Sequence, residues 1–448
     1  MPAPRFFARE EFFGWLLFDP RTHQYVVPVT SAAICAFRRV IEDGDLPLAD
    51  ELPGDDRDHA ADIARWLRDN DCIPGSIRIS CRAPKPGMLS APLNVYFDFT
   101  SICNLACTMC YDEPKRAGTK RSSELTVAEI DGVFAQLGEM GVFRVDLAGG
   151  EPTLLPDVLE AYLAAADKHH ISVSMTTNGT RLSYDLSRRI LGHGLKTVTV
   201  SIDGHDAGMN DRVRGAGAFE KAVLGLQNLL TAKRDLGSDT VIAIKNTFRP
   251  TITAEEIGGF VELGRSLGVD KVKFNSMRPS GEAAADRELI SAVPAYYAAL
   301  REMKRLADLS DDVEISGPVN PATCFGGRIS HLTDWGCVAG KELMTIDSIG
   351  NVRPCSMMND FVVGNVRSNS LREIYFNSRI NSLRNVEKAE CSSCSAFMTC
   401  RGGCRVRSQA AGDFFAKDPL CPKDAGQDMV HAAERARPFQ YLGLPHSL

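Results

Sequence analysis

The chain has 448 residues, a formal net charge of −6, and 44% hydrophobic against 24% charged residues. That length suits two or three domains of ordinary globular composition; the charge offers no electrostatic case for nucleic acid or an anionic membrane as partner, and no apolar run reaches the roughly 18 residues of a membrane span. The opening Met1-Pro2-Ala3-Pro4-Arg5 lacks a secretory core, so fourteen cysteines point to metal or redox chemistry in a reducing, cytoplasmic setting rather than to disulfides.

In chain order, apolar runs at 15–18 and 25–29 flank the turn-former Asp19-Pro20-Arg21 and predict a β-hairpin. Thr30 then caps a helix carrying Ile34, Phe37 and Ile41 on one face. A second helix carries Ile63, Trp66 and Leu67, and 76–80 reads as a closing strand. The acidic stretch 42–58 reads as a solvated loop, and Cys35, Cys72 and Cys81 as packing residues. A proline-rich linker at 83–92 separates residues 1–82 from the rest of the chain.

From 93 to 310 strand and helix patterns alternate. Leu93, Val95, Phe97 and Phe99 form an alternating run that ends at Cys103-Asn104-Leu105-Ala106-Cys107-Thr108-Met109-Cys110. Three thiolates this close can ligate three irons of a cubane and leave the fourth open; cysteines alone also suit zinc or simple burial. Thr126 and Glu129 make a capping box before Val127, Ile130, Phe134 and Leu137. Strand-like runs recur at 142–147, 171–177, 197–202, 241–247 and 271–276, with helices such as 219–234 and 255–267 between them. Six β/α units predict a parallel sheet with helices outside, an open or closed barrel whose ligands sit at the carboxyl ends of the strands.

The motifs fall at those ends. Gly149-Gly150-Glu151-Pro152 follows the second strand, where two glycines admit a ligand close to the backbone and Pro152 fixes the turn. Thr177-Asn178-Gly179 ends the third, and Ser201-Ile202-Asp203-Gly204 the fourth. Each could also be only a turn. Asn246 lies on the fifth strand, and Arg278 at the end of the sixth faces the expected cavity.

Residues 311–448 hold Cys324, Cys337, Cys355, Cys391, Cys394, Cys400, Cys404 and Cys421. Gly350 precedes Cys355; the later cysteines run C-x2-C-x5-C-x3-C, then sixteen residues to the last. A pair of zinc sites would also explain such spacing.

The C-x3-C-x2-C loop, with its strand-end motifs in order, resembles the radical SAM enzymes. The resemblance implies a partial (β/α)6 TIM-like barrel and a 4Fe–4S cluster on Cys103, Cys107 and Cys110, with S-adenosylmethionine (SAM) on the open iron. It implies that Gly149, Gly150, Glu151 and Pro152 hold the methionine ammonium, and that Thr177 and Asn178 lie beside the cofactor. Ser201 and Asp203 would face its nucleoside or methionine part, Arg214 would grip its carboxylate, and Asn246 would contact it too. Met109 stands where the family usually has an aromatic residue, with Tyr111 just beyond. The later cysteines resemble the SPASM domain, which implies two auxiliary 4Fe–4S clusters, one on Cys324, Cys337, Cys355 and Cys404, the other on Cys391, Cys394, Cys400 and Cys421. Without Cys324 the first would keep an open iron. The final sixteen-residue step is one short of the family's usual seventeen.

Residues 1–82 look like a RiPP recognition element, a winged-helix-like α+β module to whose hairpin edge a leader peptide adds a strand. An unrelated packing subdomain is the alternative. Together these resemblances imply an oxidoreductase that cleaves SAM reductively to a 5′-deoxyadenosyl radical and takes hydrogen from a ribosomally made precursor peptide. A thioether or carbon–carbon crosslink, or a related side-chain change, would follow, the auxiliary clusters taking up the released electron. A flavodoxin or ferredoxin would be the electron donor. Alternatives are a sulfatase-type protein maturase, a small-molecule oxidoreductase, or a non-enzymatic zinc or iron–sulfur scaffold.

Overall fold

The computed structural model describes residues 6–12, 14–20, 24–28, 31–52, 57–73, 75–82, 88–112, 123–318, 337–384, 389–391, 393–394, 400, 402–421, 423–424 and 439–442. Cys324 and Thr30 lie outside them. The expected hairpin is β2 (Gly14–Asp19) against β3 (Gln24–Pro28), antiparallel. The hairpin pattern did not announce β1 (Phe6–Glu11), which pairs antiparallel with β2. Helices α1 (Ser31–Arg38) and α2 (Arg57–Asp69) lead to β4 (Ile77–Arg82), which lies parallel to β1.

One face of this sheet (Phe6, Ala8, Trp15, Leu17, Val26) packs on Phe37, Ile63 and Leu67 of its own helices. The other (Phe7, Leu16, Phe18, Tyr25, Val27) packs on Leu89, Leu93 and Phe143. The described part of the acidic stretch is largely exposed, as expected, with a few side-chain ties. Arg39 pairs with Asp45 and, at 2.8 Å, with Glu51; Trp15 Nε1 donates to Glu42 at 2.7 Å.

The expected linker is, over its described part, an interface. Arg9, fully buried, donates to the carbonyls of Ala91 (3.2 Å), Pro92 (3.0 Å) and Gly141 (2.9 Å) and pairs with Glu11 at 2.7 Å. Glu11 in turn accepts from Ser90 N at 2.7 Å and Ser90 Oγ at 3.0 Å. Proline content predicts an extended backbone, but it is silent on whether those carbonyls find a donor. Replacing Glu11 with alanine strands a buried guanidinium, and the expected loss in urea unfolding is about 3–5 kcal/mol. An unchanged midpoint would show that this junction does not hold the two units together.

The core then alternates: β5 (Asn94–Asp98), α3 (Val127–Met140), β6 (Arg144–Ala148), α4 (Pro156–Lys168), β7 (Ser172–Thr177), α5 (Tyr184–Leu191) and β8 (Thr197–Ser201). It continues through α6 (Ala207–Arg214), α7 (Ala218–Leu236), β9 (Val241–Phe248), α8 (Ala254–Leu267) and β10 (Lys271–Ser276). The six strands are parallel, each bonded to the next in sequence. The capping box forms as expected, Thr126 N donating to Glu129 at 2.8 Å. Residues of one parity, among them Phe97, Leu147, Val173, Val200, Ile244 and Phe274, pack against the outer helices. Those of the other parity, such as Tyr96, Asp146, Thr199 and Lys245, face an internal cavity.

The sheet continues past residue 310. After α9 (Glu288–Ser291) and α10 (Val293–Asp308), β11 (Glu314–Ser316) joins β10, and β12 (Leu343–Ile346) joins β5, both parallel. Antiparallel β13 (Asn351–Arg353) and β14 (Gly364–Asn365) complete ten strands in an open order. The cysteine-rich region therefore grips the barrel sheet at both edges. Last, β15 (Phe439–Leu442) returns to the first sheet and pairs antiparallel with β3, Leu442 opposite Tyr25 and Phe439 opposite Pro28. Among the described residues no helix is long and apolar enough to cross a membrane.

Candidate iron–sulfur and cofactor site

A cavity of about 670 Å³ runs from the inner face of the parallel strands to the cysteine-rich region. Every described cysteine of the three expected sets lines it: Cys103, Cys107 and Cys110; Cys337, Cys355 and Cys404; Cys391, Cys394, Cys400 and Cys421. All are free thiols.

The first loop is fastened by backbone. Gly150 N donates to Thr100 O at 2.6 Å and Glu151 N to Ile102 O at 2.7 Å, so the Gly149–Pro152 turn zips onto the loop just before Cys103. Thr108 N donates to Val213 O at 3.0 Å, and Glu282 N to Cys110 O at 2.9 Å. Gly149 has φ 110°, and a Cβ on Gly150 would stand 2.0 Å from the Ile102 carbonyl oxygen, so neither position accepts a side chain unchanged.

The expected cofactor residues divide into two layers. Gly149, Gly150, Thr177, Asn178, Ser201 and Arg214 line the cavity. Glu151, Pro152 and Asp203 stand behind them. The buried Glu151 carboxylate accepts from Thr177 Oγ1, Asn178 N and Thr153 Oγ1, each at 2.6 Å, and so ties the glycine turn to the end of β7. Asp203 pairs with Arg214 at 2.5 Å and accepts from Thr247 N at 2.7 Å, which orients the guanidinium. Arg214 Nη1 then lies 4.0 Å from Cys107 Sγ, and Asn178 Nδ2 lies 3.9 Å from Cys103 Sγ. Asn246 is buried and absent from the lining, whereas its neighbours Lys245 and Thr247 are part of it. Strand parity places Asn246 with Ile242 and Ile244, on the helix side of β9. Arg278 lines the cavity as expected and donates to Ser276 O at 2.6 Å.

Burial pushes the thiols of Cys103, Cys107 and Cys110 up, the last to about 12, with Arg214 opposing the rise at Cys107. Burial alone therefore favours thiols, and the positive charge of bound iron is what makes thiolates stable in such a place. Among the described residues no three ligating side chains close on a single ion.

Sequence reasoning missed a bridge between the two cysteine regions. Arg353 Nη2 donates to Asp98 at 3.0 Å and lies 3.7 Å from Asp112. Tyr111 OH donates to Asp98 at 3.0 Å, and Asn359 Nδ2 to Tyr111 O at 2.8 Å. Burial, then Asp112, pushes the Asp98 carboxyl well up, and Arg353 opposes this. A second missed element, Asp418, accepts from Arg407 Nε (2.8 Å), Cys404 N (2.7 Å) and Leu420 N (3.0 Å), linking the neighbourhoods of Cys404 and Cys421.

A parallel barrel with a cavity lined by three sets of cysteines has the donor set of an iron–sulfur protein. The radical SAM superfamily matches residues 97–263, and the SPASM iron–sulfur cluster-binding domain matches 337–400. Mycofactocin maturase MftC of Mycobacterium tuberculosis is 30% identical over 346 residues, 74% of this chain and 82% of that one. AdoMet-dependent heme synthase of Methanosarcina barkeri is 28% identical over 365 residues, 75% and 97% of the two chains. Streptococcus suis SuiB, solved with SAM, superposes with a TM-score of 0.64 at 16% identity, over 94% of this chain and 99% of that one; SuiB has also been solved with its precursor peptide SuiA. The chain belongs to the radical SAM superfamily, in the branch that carries a SPASM domain. Its cofactors are SAM and 4Fe–4S clusters.

Proposed function

We propose that this radical SAM enzyme is a peptide maturase. It acts on a ribosomally made precursor and leaves a thioether or carbon–carbon crosslink, or a related side-chain oxidation. The observation that carries the reading is the first sheet: it is sealed onto the barrel through Arg9 and Glu11, and its β3 edge already pairs with an extended segment, β15. An edge that accepts one strand accepts another of similar character. MftC is named a maturase and SuiB binds a precursor peptide, which agrees.

When bound, the cluster and SAM supply a 5′-deoxyadenosyl radical that removes hydrogen from substrate. In this reading Cys103, Cys107 and Cys110 hold the SAM cluster. Cys337, Cys355 and Cys404, with Cys324, hold one auxiliary cluster; Cys391, Cys394, Cys400 and Cys421 hold the other. The backbone at Gly149 and Gly150 receives the methionine ammonium, and Arg214, oriented by Asp203, receives the carboxylate. A flavodoxin or ferredoxin supplies electrons in the cytoplasm.

The test is anaerobic incubation with a short precursor encoded beside this gene. Loss of two hydrogens from the peptide, with matching 5′-deoxyadenosine, is expected; SAM cleavage that leaves every such peptide unchanged would sink the reading. A second expectation concerns β15. Since it occupies the edge assigned to the leader, removing residues 439–448 should tighten leader binding by about tenfold, or about 1.4 kcal/mol. Equal affinity in both forms would place the leader elsewhere.

A further inference from the structure

Four cationic side chains face the cavity below the strand ends: Arg144, Lys196, Lys245 and Lys273. Lys245 and Lys273 are direct partners on β9 and β10, and Lys245 is also the partner of Ser201 on β8. Side chains of one parity on adjacent strands stand about 5 Å apart, so these two ammonium groups share one small region. None of the four forms an ion pair among the described residues; Lys273 reaches only the Thr199 hydroxyl, at 3.4 Å. Of the carboxylates lining the cavity, Asp418 is paired with Arg407, whereas Asp146 accepts from the neutral amide of Asn94 and attracts both lysines. Burial, then neighbouring cations (Arg214 and Lys273 for one, Lys271 for the other), pulls Lys245 and Lys273 down to about 8, with Asp146 opposing at both, Asp203 at the first and Glu314 at the second. Four cations gathered in a poorly solvated chamber against one lining carboxylate not already paired, Asp146, leave an excess of positive charge that an arriving anion relieves.

We propose that Lys245 and Lys273 form a subsite for a carboxylate of the substrate, a chain-terminal or an Asp/Glu side-chain one, in the layer of Ser201. This rests on the reading that the cavity receives the substrate. Two ammonium groups from adjacent strands, with the Thr199 hydroxyl of β8 beside Lys273, can meet the oxygens of one carboxylate and draw the attached carbon toward the strand ends. The methionine carboxylate of SAM is the other source of this chemistry, and Arg214 already provides for it.

The test uses the full-length, cluster-loaded protein with 4-phenylbutyrate and the neutral 4-phenylbutyramide as probes, compared by calorimetric titration with SAM present. The acid is expected to bind about tenfold tighter than the amide, and Lys245→Met or Lys273→Met should erase that preference while the SAM Kd stays within about twofold. Lys273→Arg, which keeps the charge, should retain the preference and guards against a folding defect in the methionine variants. Equal binding of acid and amide overturns the proposal. So does a methionine variant that still prefers the acid, or one that loses SAM as strongly as it loses the probe, since the lysines would then serve the cofactor. No precursor peptide enters this measurement, so its failure is separate from a failure of peptide turnover.

Discussion

Alanine at Cys103, Cys107 or Cys110 is expected to reduce 5′-deoxyadenosine formation to the level of iron-free protein. Alanine at Cys391 or Cys400 should leave some SAM cleavage and stop product formation. The contrast follows from position. The first three thiols sit on the loop zipped to the glycine turn through Gly150 and Glu151, with Arg214 and Asn178 aimed at two of the sulfurs. Cys391 and Cys400 lie on the same cavity but belong to the cysteine-rich region joined to the barrel through β11 and β12. On the proposed assignment, losing a ligand of the first set removes the open iron that SAM needs, and losing one of the second removes an electron acceptor or a structural tie. The measurement is anaerobic 5′-deoxyadenosine and peptide mass for both sets, with iron content as a control. If both sets cleave SAM as the parent does, this division of labour is wrong.

The parallel strands were legible because each repeats an apolar parity and ends in a turn motif, so pattern and chemistry agree along 93–276. Local pattern could not show what depends on distant partners. The Asp98–Arg353 pair joins residues 255 positions apart, and β15 pairs with a strand near the other end of the chain. Strand β1 hid because Arg9 and Glu11 look solvent-facing, yet both are buried where the carbonyls of 91, 92 and 141 and the Ser90 donors satisfy them. The placement of Asn246 was recoverable: it shares parity with Ile242 and Ile244, and that signal argues for Lys245 and Thr247 as the cavity residues. For Glu151 the motif marked the segment, but only the fold shows a carboxylate turned away from the cavity to hold Thr177 and Asn178.

Gly150→Ala is a demanding change outside the cysteines. Its Cβ would lie 2.0 Å from the oxygen, 2.5 Å from the carbonyl carbon and 3.0 Å from the nitrogen of Ile102. The obstacle is backbone, so no rotamer change relieves it. Nor can the turn simply back away, because Gly150 N and Glu151 N donate to Thr100 O and Ile102 O at 2.6 and 2.7 Å. Glu151 is meanwhile anchored to the end of β7. The strain must therefore pass into Ile102, immediately ahead of Cys103, and shift both the cysteine loop and the backbone assigned to the methionine ammonium. A displacement of that kind is expected to lower SAM affinity and 5′-deoxyadenosine formation by about a hundredfold, or about 3 kcal/mol. Gly258, in α8 with nothing within 4 Å of an added methyl, is the matched control. Alanine there should leave activity unchanged and raise stability by about 0.5–1 kcal/mol. Equilibrium dialysis with SAM and anaerobic turnover on the two variants decide the matter: parental affinity in Gly150→Ala would mean that the turn can separate from the cysteine loop without loss.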